Sequence, residues 1–246
     1  MDPGYYTKYY HFERSHWWFT VRAGIISAII TTRVHPKPES LILNVGAATG
    51  ASSEWLRKFG TVVSLESDRE VCRFVREELK MEITEGSVNQ LPFPDEHFDM
   101  VCALDVLEHV EEDGAAMQEL HRVLKTGGAL LVTVPAFRFL WSRHDLVNHH
   151  KRRYSLQGLN RKLKATGFVI SYSSYFNSLL FAPIAGYRLL GRFNIQRKKI
   201  RSDFESSLSG NHFLNRVFRS IFSLERKMLN HIRFPFGVSV VFVAKK

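Results

Sequence analysis

One loop constrains this chain more than any other segment. Leu43-Asn44-Val45-Gly46-Ala47-Ala48-Thr49-Gly50 follows a short apolar run, 41–45, and precedes a stretch in which Ser52 or Ser53 can cap a helix reaching Phe59. Glycine lets backbone approach a ligand and lets the chain turn sharply. The apolar run has the length and flanks of a buried strand. In open α/β sheets, ligands bind at the carboxyl ends of strands, where such a loop lies.

The alternation continues along the chain. Strands are predicted at 62–65, 82–85, 98–104 and 129–134, with helices at 69–79 and from Asp113 to the stop at Gly127-Gly128. Upstream, 5–30 reads as one aromatic-rich helix, and 34–40, with Pro36 and Pro38, as a linker. Downstream come a His- and Arg-rich loop at 137–154, a helix at 156–165, a strand from Gly167 to about Tyr175, a helical basic stretch and a last strand at 238–244. Repeated strand–helix units imply parallel strands with right-handed crossovers.

Glu66 ends the second strand, where a carboxylate can accept hydrogen bonds from two ribose hydroxyls. Loop and carboxylate together indicate an adenosine-type cofactor. The dinucleotide spacing G-x-G-x-x-G is missing, since Ala48 and Ala51 break it, and no phosphate loop Gly-Lys-Ser/Thr occurs. That disfavours an oxidoreductase and a nucleotide triphosphatase.

The segments 44–50, 63–68, 86–92, 98–110 and 120–135, in that order, resemble the class I S-adenosylmethionine-dependent methyltransferases, in their type 11 branch. The resemblance implies a Rossmann-like α/β fold with seven strands, six parallel and the last antiparallel. It divides the chain into an N-terminal helical segment, 1–40, a methyltransferase core, 41–176, a basic helical insertion, 177–236, and a last core strand, 237–246. It implies S-adenosylmethionine as cofactor. Gly46, Ala47, Ala48 and Gly50 would wrap its methionine and ribose edge, and Glu66 would hold the ribose. Ser87 and Val88 would border adenine, Leu104 and Asp105 would lie near the methyl, and Arg22, after His16-Trp17-Trp18-Phe19, would meet the methionine carboxylate. The aromatic run fits packing on the sheet equally well. Asn44, Ala48 and Ser87 stand where the family usually has Asp, Gly and Asp. If Ala48 takes positive φ, the cost is about 1–2 kcal/mol.

Asp105-Val-Leu-Glu108-His109 would share one face if a helical turn starts there. His109 is the candidate general base, with an unperturbed pKa near 6.5. The segment is also similar to a Glu-x-x-Glu-His metal motif of ubiquinone-biosynthesis O-methyltransferases and small-RNA terminal methyltransferases; this leaves a divalent metal open and commits no ligand. A second cluster, Trp141-Ser142-Arg143-His144-Asp145 with His150-Lys151-Arg152-Arg153-Tyr154, resembles the Trp-Ser-x-His-Asp…His-x-Arg-Arg-Tyr signature of a methyltransferase subgroup linked to lipid-linked or cell-surface polysaccharides. Here His144 and Asp145 are catalytic candidates. His150, Arg152, Arg153 and Tyr154 are acceptor-binding candidates, the arginines suited to an anionic group.

Charge divides unevenly. Residues 1–135 carry 13 Lys/Arg against 20 Asp/Glu, whereas 136–246 carry 21 against 4. A basic second half fits an anionic partner. Residues 179–184 are apolar, and Arg188, Arg192, Arg197, Lys198, Lys199 and Arg201 follow, as an interfacial helix requires. The expected partners are a small-molecule or lipid-linked acceptor and an anionic membrane surface. An extra helical layer on the sheet, or on a second copy of the chain, is the alternative role of the insertion.

With two cysteines and no apolar run long enough to span a bilayer, the expected location is cytoplasmic, at the membrane's inner face. The expected function is O-methylation of a small or lipid-linked anionic acceptor. A non-catalytic binding protein on the same fold and an RNA methyltransferase are the competing functions, the latter disfavoured by the lack of an RNA-binding module.

Overall fold

A computed structural model describes residues 3–192 and 212–246. The N-terminal segment is two helices, α1 (Pro3–Ser15) and α2 (Trp17–Ile29), where the sequence suggested one. His16 divides them: its backbone is extended and its Nδ1 accepts the Trp18 N–H, capping α2. A π turn, Ile30–Val34, then leads to the linker.

The core alternates β1 (Leu41–Val45), α3 (Ala51–Leu56), β2 (Thr61–Glu66), α4 (Arg69–Glu77), β3 (Thr84–Glu85), β4 (Phe98–Leu104), α5 (Asp113–Val123) and β5 (Leu124–Pro135). Next come α6 (Arg143–Val147), α7 (Leu156–Ala165), β6 (Val169–Phe176), α8 (Phe181–Arg192), α9 (His212–Met228) and β7 (Ser239–Lys245). Two local expectations are corrected. Gly50, in left-handed conformation, caps α3; Ser52 and Ser53 instead receive hydrogen bonds from the Asn44 amide, both 2.8 Å. Gly127 and Gly128 lie inside β5, because the chain already turns extended at Leu124, paired with Phe98.

One seven-stranded sheet has the order β3-β2-β1-β4-β5-β7-β6. Strands β1 to β5 pair in parallel, and β7 runs antiparallel between β5 and β6. Period-two alternation sends Leu43, Val101, Ala103, Leu130 and Val132 to one face, where α5 and α7 cover them. Ile42, Met100, Cys102, Leu131 and Val243 go to the other, under α2 and α9.

The insertion adds a helical layer to the sheet. Phe222 of α9 and Leu229, just past its end, are buried in the second core, and Phe218 and Ile221 pack beside them. Leu224 is 57% exposed, off this face. Arg188 is turned inward and buried, not presented outward as an interfacial helix would present it. Arg197, Lys198, Lys199 and Arg201 lie outside the described residues. Within the described residues, no helix is long and apolar enough to cross a membrane.

Candidate active site

A cavity of about 1380 Å³ opens over the carboxyl ends of β1, β2 and β4. That exceeds the roughly 300–1,000 Å³ of a single-ligand pocket. One end is the glycine loop. Gly46, Ala48 and Gly50 have φ of 66°, 47° and 86°, so Ala48 does occupy the left-handed region. A Cβ on Gly46 would stand 2.6 Å from Val106 Cγ2, so only glycine leaves this turn open.

Glu66 Oε2 accepts the Ala48 N–H at 2.9 Å, while Oε1 accepts those of Ser67 and Asp68 at 2.7 and 3.0 Å. The carboxylate is thereby oriented, and Oε2 keeps acceptor capacity toward the cavity. Ser87, Val88, Leu104 and Asp105 also line the wall. Ala47 and Gly50, expected to touch cofactor, are not part of the cavity wall. Ala47 packs with Cys72, Val75 and Ile83, and Gly50 begins α3.

Arg22 reaches the cavity from α2. Its Nη2 donates to Asp105 Oδ2 at 2.7 Å and to Thr133 Oγ1 at 2.8 Å, while its buried Nε has no partner. Trp17 and Trp18 combine the two expected roles, lining the cavity and packing on the second core. No motif or spacing pointed to Glu13. It lines the cavity and accepts a short hydrogen bond from Thr49, and burial raises its pKa to about 7 against the opposing pull of Thr49 and Arg14. These features fit S-adenosylmethionine: a glycine cradle, a ribose-facing carboxylate and an orphaned guanidinium nitrogen.

Beyond Asp105 the chain forms a turn over Leu107–His109, not a helix. Asp105 turns to Arg22, so the Asp105, Glu108 and His109 face expected from spacing does not form. His109 opens to the cavity. Desolvation first, and His150 second, lower its pKa to about 4. It is therefore an unprotonated acceptor at neutral pH but a weaker base than its unperturbed value promised. Glu108 is completely buried; burial, with Asp105 adding to it, holds its pKa well above the carboxylate range.

The second cluster is mostly framework. Asp145 is fully buried and outside the cavity wall, bound to Arg153 at 2.7 and 3.0 Å and to His150 Nδ1 at 2.8 Å. Although desolvation opposes ionisation, His150 and Arg153 together hold its pKa below the usual range. Asp145 thus orients His150, not the adjacent His144. His144 does line the cavity, with its ring beside the Asn148 amide. The expected acceptor-binding arginines are already engaged. Arg152 bonds Glu111 O and pairs with Asp113, and Arg153 also bonds Ala136 O. Tyr154 lies outside the wall and donates to Asp113 Oδ2 at 2.8 Å. Of the four residues, His150 and Arg153 line the cavity.

Helix α8 closes the outer wall with Ile184, Tyr187 and Arg188. Behind it, fully buried Glu225 accepts the N–H groups of Asn177, Ser178 and Leu179 at 2.6, 2.6 and 2.8 Å, locking α9 to the start of α8. Its place on an otherwise amphipathic helix gave no signal, because its partners are main-chain groups distant in sequence.

Residues 43–132 match the family described as a methyltransferase domain. The glycine/sarcosine/dimethylglycine N-methyltransferase of Actinopolyspora halophila is 34% identical over 112 residues, which are 42% of this chain and 20% of that protein. The ubiquinone/menaquinone biosynthesis C-methyltransferase UbiE of Shewanella halifaxensis is 30% identical over 134 residues, 50% and 52% of the two chains. A SAM-dependent methyltransferase from Archaeoglobus fulgidus superposes with TM-score 0.58 at 17% identity, covering 97% of this chain and 99% of the other. The chain spans about half the length of most of the first curated relatives it matches. Over residues 43–132 the chain thus matches a methyltransferase domain, and its fold is that of the class I methyltransferases; the matched stretch contains the loop at Gly46 and the carboxylate of Glu66.

Proposed function

We propose that the chain transfers a methyl group from S-adenosylmethionine to an oxygen of a small or lipid-linked acceptor. The supporting observation is one continuous cavity, which joins the Gly46, Glu66 and Ser87 end to an end walled by His109, His150 and α8. One ligand does not fill that volume, so cofactor and acceptor have room side by side.

The bound cofactor supplies an already activated methyl, so the protein's main task is positioning. Glu66 and the glycine loop would hold the ribose end, and Arg22 would meet the methionine carboxylate. His109 stands at the acceptor end of the wall, where it, or an ion that it holds, would orient the acceptor oxygen. Ile184 and Tyr187 offer an apolar approach, and Arg188 supplies positive charge within the wall for an anionic group. Tyr187 and Leu190 are 62% and 72% exposed beside this approach, which suits an acceptor presented from a lipid surface.

Calorimetric titration with S-adenosylmethionine and S-adenosylhomocysteine tests the reading. Micromolar binding, lost in Glu66→Ala, is expected, followed by label transfer to phosphorylated lipids or glycans. No binding at millimolar cofactor would overturn it and leave a non-catalytic scaffold.

A further inference from the structure

Glu108 is the most unusual group in the cavity wall. It is 0% exposed, and neither side-chain oxygen has a hydrogen-bond partner. An unsatisfied buried carboxyl is costly and calls for a ligand. Neither nearby arginine satisfies it: Arg22 bonds Asp105 and Thr133, and Arg153 bonds Asp145 and Ala136 O. What faces Glu108 is a pair of imidazoles. His109 and His150 stand edge to face with ring centroids 4.7 Å apart, and one donor atom each from Glu108, His109 and His150 lie within 4.8 Å of one another.

Both rings are held from behind. His150 Nδ1 is fixed on buried Asp145, itself clamped by Arg153, which leaves Nε2 available. The His109 ring bonds the Asn148 main chain. Ligand histidines are commonly oriented this way, by an acceptor on the ring nitrogen that does not bind metal.

We propose that Glu108, His109 and His150 bind one divalent transition-metal ion, with its remaining coordination positions facing the cavity. Donors at about 2.0–2.2 Å from an ion lie about 3–3.5 Å apart, so a contraction of about one ångström closes the set. Two imidazoles and one carboxylate suit zinc, cobalt, manganese, iron or nickel, whereas magnesium and calcium prefer oxygen ligands alone. The site differs from the Asp105-based motif reading, since Asp105 is tied to Arg22 and His150 arrives from a distant loop. It does not rest on the proposed methyl transfer, because metal binding is measurable without cofactor or acceptor.

The test uses the full chain stripped with a chelator. Zinc and cobalt are titrated calorimetrically, and cobalt is also read by its visible absorption. One ion per chain is expected, weakened at least tenfold in Glu108→Gln and in His150→Ala, and unchanged in His231→Gln on the surface. Circular dichroism melting confirms that each variant folds; if Glu108→Gln does not, His109→Gln decides. Absence of binding, or binding undiminished in the variant that decides, would overturn the site.

Discussion

Arg22 and Asp105 form an ion pair at 2.7 Å between α2 and the end of β4, across the floor of the cavity. The pair fixes the guanidinium so that its unpartnered Nε stays in the wall. Arg22→Met should weaken S-adenosylmethionine at least tenfold, since a charge-assisted hydrogen bond contributes about 1.5–3 kcal/mol. Calorimetry on the folded variant checks this; equal affinity would remove Arg22 from the cofactor site.

Ala48 stands at φ 47°. Ala48→Gly should raise stability by about 0.5–1 kcal/mol, the relief of left-handed strain exceeding glycine's extra freedom in the unfolded chain. Urea unfolding measures it, and a destabilised variant would contradict the strained backbone.

Removing Glu225 leaves three buried main-chain donors without their acceptor. Glu225→Ala should cost on the order of 3 kcal/mol or more. The α8 wall should loosen with it, visible as faster amide exchange at 177–179; unchanged protection there would show that another group holds the junction.

Glu13 gives a pH dependence. Its folded pKa, about 7, lies above its ordinary value of 4.5 because of burial. The folded state then holds the proton more tightly than the unfolded chain. This contribution to stability is fully present below about pH 4.5 and is lost as pH rises through about 7. The melting temperature of the cofactor-free protein should therefore fall relative to that of Glu13→Gln across this window. Parallel curves would show that Glu13 is not buried in solution.

Much of the fold was legible because it rests on local patterns. Short apolar runs placed β1 and β4 at their observed limits, and the helix expected at 156–165 is α7, where Ser155 accepts the Gly158 N–H. The break at His16 was hidden, since both flanking stretches are helix-compatible and only a ring nitrogen separates them. The start of β5 at Leu124 was hidden too, because pairing with β4 outweighed the two glycines.

The site divides along the same line. The loop at Gly46 and the carboxylate at Glu66 are close in the topology and carry a backbone signature, so the sequence alone determined them. Which charged groups are free and which are consumed was decided by tertiary structure. Arg152, Arg153 and Asp145 read as chemistry but serve as framework, while Glu108 beside His109 and His150 was left without a partner. Charge pairing depends on separations of about 3 Å between residues far apart in sequence, and no local pattern encodes such distances.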